Sequence, residues 1–166
     1  MSNKPNIKHT QLFINNEFVN ADSGKTFATI DPTNEEVICQ VSEGNKLDVD
    51  KAVAAARKAF AFGSKWRTMD ASARGKLMFK LADLMEVNAD YIAQLETLDN
   101  GKPLSTSQED VEYSVACLRY FAGWCDKIHG DTIPVDGKFF SYTRKEPVGV
   151  VGQVLDINLP CKFAYF

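Results

Sequence analysis

Between Ser107 and Ile128 the sequence sets Val111, Val115, Leu118, Ala122, Cys125 and Ile128 at spacings of three and four, one continuous apolar stripe of a helix. Tyr113, Cys117, Tyr120, Phe121 and Trp124 add apolar or aromatic side chains on the adjoining faces. A helix apolar over so much of its circumference is expected to be buried between layers. Ser107 and Asp110 form an S-x-x-D box at its start. The rest of the chain must then provide the surfaces that cover this helix.

The first forty residues read as strands. Leu12-Phe13-Ile14 and Phe18-Val19 flank Asn15-Asn16-Glu17, and asparagine tolerates the positive φ of a tight hairpin turn. Asp22-Ser23-Gly24 and Asp31-Pro32-Thr33-Asn34 mark two further turns, with strands expected over Phe27 to Ile30 and Val37 to Val41. A small antiparallel unit follows. From Asp48 to Lys127 the apolar period changes from two to 3.6. Val49, Val53, Ala56 and Phe60 share one face of a first helix, with Asp48 as its N-cap and Gly63 as its stop. Asp70 caps a second, in which Leu77, Leu81, Leu84 and Met85 recur at helical spacing. A third carries Tyr91, Ile92, Leu95 and Leu98 and ends at Asn100-Gly101, ahead of Pro103.

Residues 130–137 form a turn-rich connector, Phe139 to Glu146 reads as a strand, and Pro147 breaks it. The run Val148 to Leu155 is of the kind found in strands buried on both faces of a parallel sheet. Eleven residues follow it, fewer than the helix and return strand of a βαβ unit require, so the chain is expected to stop inside a fold.

With 166 residues, 45% apolar and 25% charged, the composition is that of an ordinary globular chain of about one domain. A net charge of −3 offers no basic surplus for a nucleic-acid backbone or an anionic membrane. The opening residues lack the apolar core of a secretory signal and no stretch is long enough to span a bilayer, so the expected compartment is the cytoplasm. Cys39, Cys117, Cys125 and Cys161 form no Cys-x-x-Cys pair and cluster with neither His9 nor His129, which argues against zinc and for thiols acting as small apolar residues. Gly24-Lys25-Thr26 would end a phosphate-binding loop only if residue 19 were glycine, and it is Val19. Gly149-x-x-Gly152 lacks the third glycine and the helix of a dinucleotide fingerprint.

Four blocks carry a resemblance. They are Trp66-Arg67-x-Met69-Asp70-Ala71-Ser72, Leu95 to Pro103, Leu118 to Trp124, and Ser141 to Val150. Together with Phe13-Ile14-Asn15-Asn16 they resemble the N-terminal third of the aldehyde dehydrogenase superfamily, in particular its cytosolic and mitochondrial NAD-dependent classes, which include the retinal dehydrogenases. The resemblance implies an incomplete α/β aldehyde dehydrogenase fold: N-terminal strands, a four-helix segment, an arm strand and the first buried parallel strand of a truncated Rossmann-like domain. It divides the chain into residues 1–128, part of the coenzyme-binding domain; 129–147, an oligomerisation arm; and 148–166, the start of the coenzyme-binding sheet.

The resemblance further implies a homo-oligomeric enzyme that oxidises an aldehyde to a carboxylate with NAD. In that family a cysteine thiolate attacks the carbonyl, a backbone N–H and an asparagine amide hold the oxyanion, and a glutamate activates the hydrolytic water. Asn158 matches the asparagine. Val154, Leu155, Asp156 and Ile157 match the strand end that contacts the coenzyme, although the family has proline where Asp156 stands and tryptophan where Ile157 stands. A carboxylate there would repel a bound diphosphate. Tyr113, Cys117 and Leu159 match positions lining the aldehyde tunnel, and residues 139–146 match the strand through which subunits assemble. The nucleophile, the general base and the ribose-binding residues match nothing in this chain. By residue type alone Asn158 reads as a turn residue, Cys161 as a thiol with no base nearby and no positive charge but Lys162, Tyr113 and Cys117 as ordinary apolar positions, and Arg144 and Lys145 as solvated charges; the resemblance places Cys161 at an apolar tunnel position. Two functions therefore stand side by side: part of an aldehyde dehydrogenase, inactive as this chain alone, or a non-catalytic interaction protein that pairs with full-length subunits.

Overall fold

The structure, a computed structural model, describes residues 4–154. Strands β1 (Leu12–Ile14) and β2 (Glu17–Val19) pair antiparallel. Asn15 and Asn16 turn between them with φ of 53° and 64°, the two positive values that a tight hairpin of this twist demands. Strands β3 (Thr26–Ile30) and β4 (Val37–Ser42) form a second antiparallel ribbon with an irregularity between Thr29 and Ile30. Asp31 organises its turn, its Oδ1 accepting from the Thr33 backbone at 2.9 Å and the Thr33 hydroxyl at 2.6 Å. The four strands make two separate ribbons rather than the single unit expected. Backbone bonds from Ser42 to Thr10 and from Glu43 to Lys25 join β4 to the preceding segments instead.

Helix α1 (Lys46–Phe60) has its N-cap three residues before the expected one. Asn45 is the N-cap, its Oδ1 accepting from Leu47 N at 2.7 Å, while Asp48 returns the bond by accepting from Asn45 N at 2.9 Å. Asp48 also accepts from Asp22 N at 2.9 Å, so one buried carboxylate closes the helix end and ties it to the turn before β3. The helix stops at Phe60, three residues before Gly63, and a single turn, α2 (Lys65–Thr68), follows. Asp70 does precede α3 (Ala71–Val87), but its side chain makes no capping bond. Asn88 joins α3 to α4 (Ala89–Asn100), which ends on Gly101 at φ 82°, the left-handed stop expected there.

Helix α5 (Leu104–Ala122) starts directly after Pro103, so Ser107 lies inside it and is not its cap. Its hydroxyl instead meets that of Thr97 at 2.8 Å, fully buried between α4 and α5. Ala82 and Met85 of α3, Ala93 of α4, and Val111, Val115 and Leu118 of α5 make the core. On α3 the buried face is Gly75, Ala82 and Met85, while Leu77, Leu81 and Leu84 stay exposed. Small residues there allow a close approach: a Cβ on Gly75 would lie 2.7 Å from the Ala122 carbonyl oxygen. Only one side of α5 is covered among the described residues. Tyr113, Tyr120, Phe121, Trp124 and Ile128 are exposed, so the expected two-sided burial is not met.

Strands β5 (Thr132–Ile133) and β6 (Ser141–Tyr142) form a third antiparallel ribbon. The strand expected over Phe139 to Glu146 is thus reduced to two residues. Residues 148–154 belong to no ladder, and Val148 and Val151 are exposed. A strand of that composition is stable when neighbours satisfy both edges, and the described residues supply none.

Candidate functional site

The uncovered side of α5 carries the site. Tyr113 and Cys117 stand one helical turn apart, away from the core stripe of Val111, Val115 and Leu118. With Ala116, Tyr120 and Phe121 they line an open groove of about 480 Å³. Tyr120 meets Phe121 edge to face at 5.2 Å and Trp124 at 6.3 Å, so the wall is a set of mutually supported rings. No lining residue is charged. The groove can receive an apolar body, but contains no acid–base pair for chemistry.

A buried ionic cluster that the sequence reading missed sets the position of α5. Lys102, in the turn after α4, donates to Glu96 Oε1 and to Asp110 Oδ2, the latter at 2.7 Å. Its side chain is 12% exposed and that of Glu96 2%. Burial, the largest influence on Lys102, works to lower its pKa, but hydrogen bonds to Asp110 and Glu96 outweigh it and hold the ammonium above its ordinary value. The available signal was an acidic residue on the inward face of α4, beside Ala93, flanking the turn with a lysine and a second acid.

The base of the expected arm is pinned. Asp131 N donates to Thr143 Oγ1 and Thr143 N donates to Asp131 O, both at 2.8 Å. Beyond this clasp Phe139, Phe140 and Tyr142 are exposed.

Of the residues matched to the coenzyme strand, Val154 is fully exposed and touches neither Tyr113 nor Cys117 in the groove. Leu155, Asp156, Ile157, Asn158 and Leu159 lie outside the described residues, as does Cys161. Of the residues matched to the coenzyme strand the described residues include Val154 alone. Among the described residues there is no group of three His, Cys, Asp or Glu that could hold a metal, and no helix long and apolar enough to cross a membrane.

The helical layer with its ribbons defines a partial α/β fold. It superposes on a variant of the Bacillus cereus aldehyde dehydrogenase with a TM-score of 0.90 and 45% identity, covering 95% of this chain and 32% of that one. It superposes on the NAD+ complex of the same enzyme with a TM-score of 0.81 and 46% identity, covering 85% and 29%. In sequence it is similar to the mitochondrial aldehyde dehydrogenase of Rattus norvegicus, 60% identical over 158 residues, 95% of this chain and 30% of the relative. It is also similar to the cytosolic aldehyde dehydrogenase 1 of Macroscelides proboscideus, 57% identical over 155 residues, 93% and 31%. Residues 18–165 match the aldehyde dehydrogenase family, and the chain belongs to it. It corresponds to the N-terminal portion of these relatives and spans about 30% of their length.

Proposed function

We propose that this chain contributes one wall of the aldehyde tunnel, the oxyanion donor and the assembly arm of an NAD-dependent aldehyde dehydrogenase. The observation that carries the reading is the placement of Tyr113 and Cys117 together in an uncharged aromatic groove on the uncovered side of α5. Leu159 extends that wall, Asn158 donates to the oxyanion, and Val154, Leu155, Asp156 and Ile157 contact NAD. Residues 1–128 belong to the coenzyme-binding domain, 129–147 form the arm, and 148–166 begin the coenzyme sheet. Assembly into a homo-oligomer runs through residues 139–146, and the compartment is the cytoplasm, in line with the cytosolic relative. The NAD+ complex of the Bacillus cereus enzyme supports the choice of coenzyme.

The 166 residues alone are inactive on this reading, because Asn158 can act only after a nucleophile has attacked. Exposed Phe139, Phe140 and Tyr142 favour a second reading, a non-catalytic partner that pairs with full-length subunits through its arm. Assays of aldehyde-dependent NADH formation on this chain, and on the rat mitochondrial enzyme with its matching segment replaced by this one, separate the outcomes. The reading expects a silent chain and an active chimera. Turnover by the chain alone, abolished by Cys161→Ala, overturns it.

A further inference from the structure

Two glycines follow an aspartate or an asparagine, Gly137 after Asp136 and Gly101 after Asn100. In such a pair the glycine nitrogen can attack the side-chain carbonyl carbon of the residue before it and close a five-membered succinimide, with no Cβ on the glycine to crowd the approach. In a folded chain the reaction needs that nitrogen to be free. The two sites differ in this respect. Gly101 N donates to Thr97 O at 2.9 Å where α4 ends, and a Cβ at Gly101 would lie 2.9 Å from Pro32, so this backbone is both hydrogen bonded and enclosed. Residues 136–138 instead form an exposed bend between β5 and β6, with Gly137 at φ 81°. Among the described residues neither the Gly137 N–H nor the Asp136 carboxylate is in a hydrogen bond or ion pair. The clasp of Asp131 and Thr143 holds the base of this hairpin, so its tip can change conformation while β5 and β6 stay paired.

We propose that Asp136 is a site of spontaneous isomerisation to isoaspartate. Gly137 N bonds to Asp136 Cγ, and the protonated carboxyl gives up its hydroxyl, which leaves with the amide proton as water. Water then adds to either carbonyl of the ring. Opening the Cγ–N bond restores aspartate; opening the bond from the former backbone carbonyl to the nitrogen leaves the main chain running through Cβ and Cγ, with that carbonyl now a free carboxylate. One water is lost and one regained, and nothing is oxidised or reduced. The product adds one atom to the main chain beside Gly137, where a Cβ would already lie 3.4 Å from the Phe139 ring, so the change reaches the exposed aromatic residues that follow. The inference goes beyond the proposed function and holds whether or not residues 129–147 serve in assembly.

Asn100 is the internal control. The 166-residue chain is incubated folded and in concentrated urea, both in heavy-oxygen water at neutral pH, then digested and read peptide by peptide by mass spectrometry. Each ring opening leaves a heavy oxygen in the product, and purified isoaspartyl methyltransferase with labelled S-adenosylmethionine marks the isoaspartate. In the folded chain uptake at Asp136 is expected to exceed that at Asn100 about tenfold. In urea the order should reverse, because at neutral pH an ionised carboxylate is a poorer electrophile than a carboxamide. Asp136→Glu keeps the charge but cannot close a five-membered ring, and should lose the signal. Absence of isoaspartate at residue 136, equal rates at Asp136 and Asn100 in the folded chain, an order unchanged by urea, or uptake in the same peptide that survives Asp136→Glu each overturns the proposal.

Discussion

Gly75 of α3 faces the backbone of Ala122 at the end of α5 so closely that a Cβ would stand 2.7 Å from its carbonyl oxygen. Backbone cannot swing aside as a side-chain tip can, so Gly75→Ala must separate the two helices that hold most of the core. Overpacking of this kind costs about 1–3 kcal/mol, and the better helix propensity of alanine offsets about 1. The expected net loss is about 1 kcal/mol, the centre of the resulting range of about 0–2, read as a lower urea midpoint at constant m-value. A midpoint equal to that of the unaltered chain would show that α3 and α5 are not held this tightly.

Asn45→Ala removes the acceptor for Leu47 N at the start of α1. The expected loss is about 1 kcal/mol, within the range of about 0.5–2 for such caps. Asn45→Asp should restore most of it, which a purely local packing effect would not predict. Thermal unfolding of the three proteins tests the point.

Lys102→Met leaves Glu96 and Asp110 buried without their shared cation. Breaking a buried pair typically costs about 3–5 kcal/mol, and a value near the lower end is expected because Lys102 keeps a little solvent contact. The triple change of Lys102→Met, Glu96→Gln and Asp110→Asn should recover part of the loss, since no charge then remains unpaired. Denaturant melts showing the single variant as stable as the parent would remove the cluster from the fold's energetics.

Asp48 and Asp99 should give opposite pH dependences. The backbone bond from Asn45, followed by that from Asp22, holds the Asp48 carboxyl below its ordinary value of 3.8 against the opposing effect of burial. Its contribution is therefore complete above that value and is lost as pH falls through the lower folded-state pKa. Asp99 is held above 3.8, so its ionised form weakens the fold, fully so once pH exceeds the raised pKa. Asp48→Asn should then destabilise at neutral pH and converge on the parent in acid, whereas Asp99→Asn should stabilise at neutral pH and also converge. Melting curves across the acidic range, showing the same sign for both variants, would contradict this.

In the chimeric enzyme, Asn158→Ala should lower turnover by about 10² to 10³, the usual loss for one oxyanion donor, with a smaller change in KM. Cys117→Trp, which fills the α5 groove, should raise KM for bulky apolar aldehydes and spare a two-carbon one. Steady-state kinetics on the two substrates separate the effects. Unchanged turnover for Asn158→Ala, with chemistry rate-limiting, would remove it from the mechanism.

Local chemistry was legible where one residue type can do only one job. Asn15-Asn16 read as a hairpin turn and both have positive φ; Gly101 read as a helix stop and is left-handed. Asp48 was misplaced by three residues because an acid suits both the cap and the third helical position, and only the bond to Asn45 N distinguishes them. Ser107 was read as a cap because a serine followed by an acid fits that role, yet its hydroxyl is turned to Thr97 of another helix. The stripe on α3 was rotated toward its leucines, since periodicity cannot reveal that small residues are wanted where α5 crosses at Gly75. Tyr113 and Cys117, grouped by the resemblance, stand four residues apart on α5 and line one groove. The Lys102 cluster escaped notice because its members come from α4, a turn and α5, and no local pattern joins them.

The three ribbons share no ladder with one another. Two-stranded ribbons are marginal by themselves, so each holds its amides only as firmly as its contacts elsewhere allow. Opening one leaves the hydrogen bonds of the others intact. Backbone protons in β5 and β6 therefore trade with solvent early, those of β1 and β2 follow their own local opening, and the slowest are those of α3 and α5 around Ala82, Val111 and Val115. Order in this chain is thus graded outward from a helical centre, and the strands record how well each has found a neighbour.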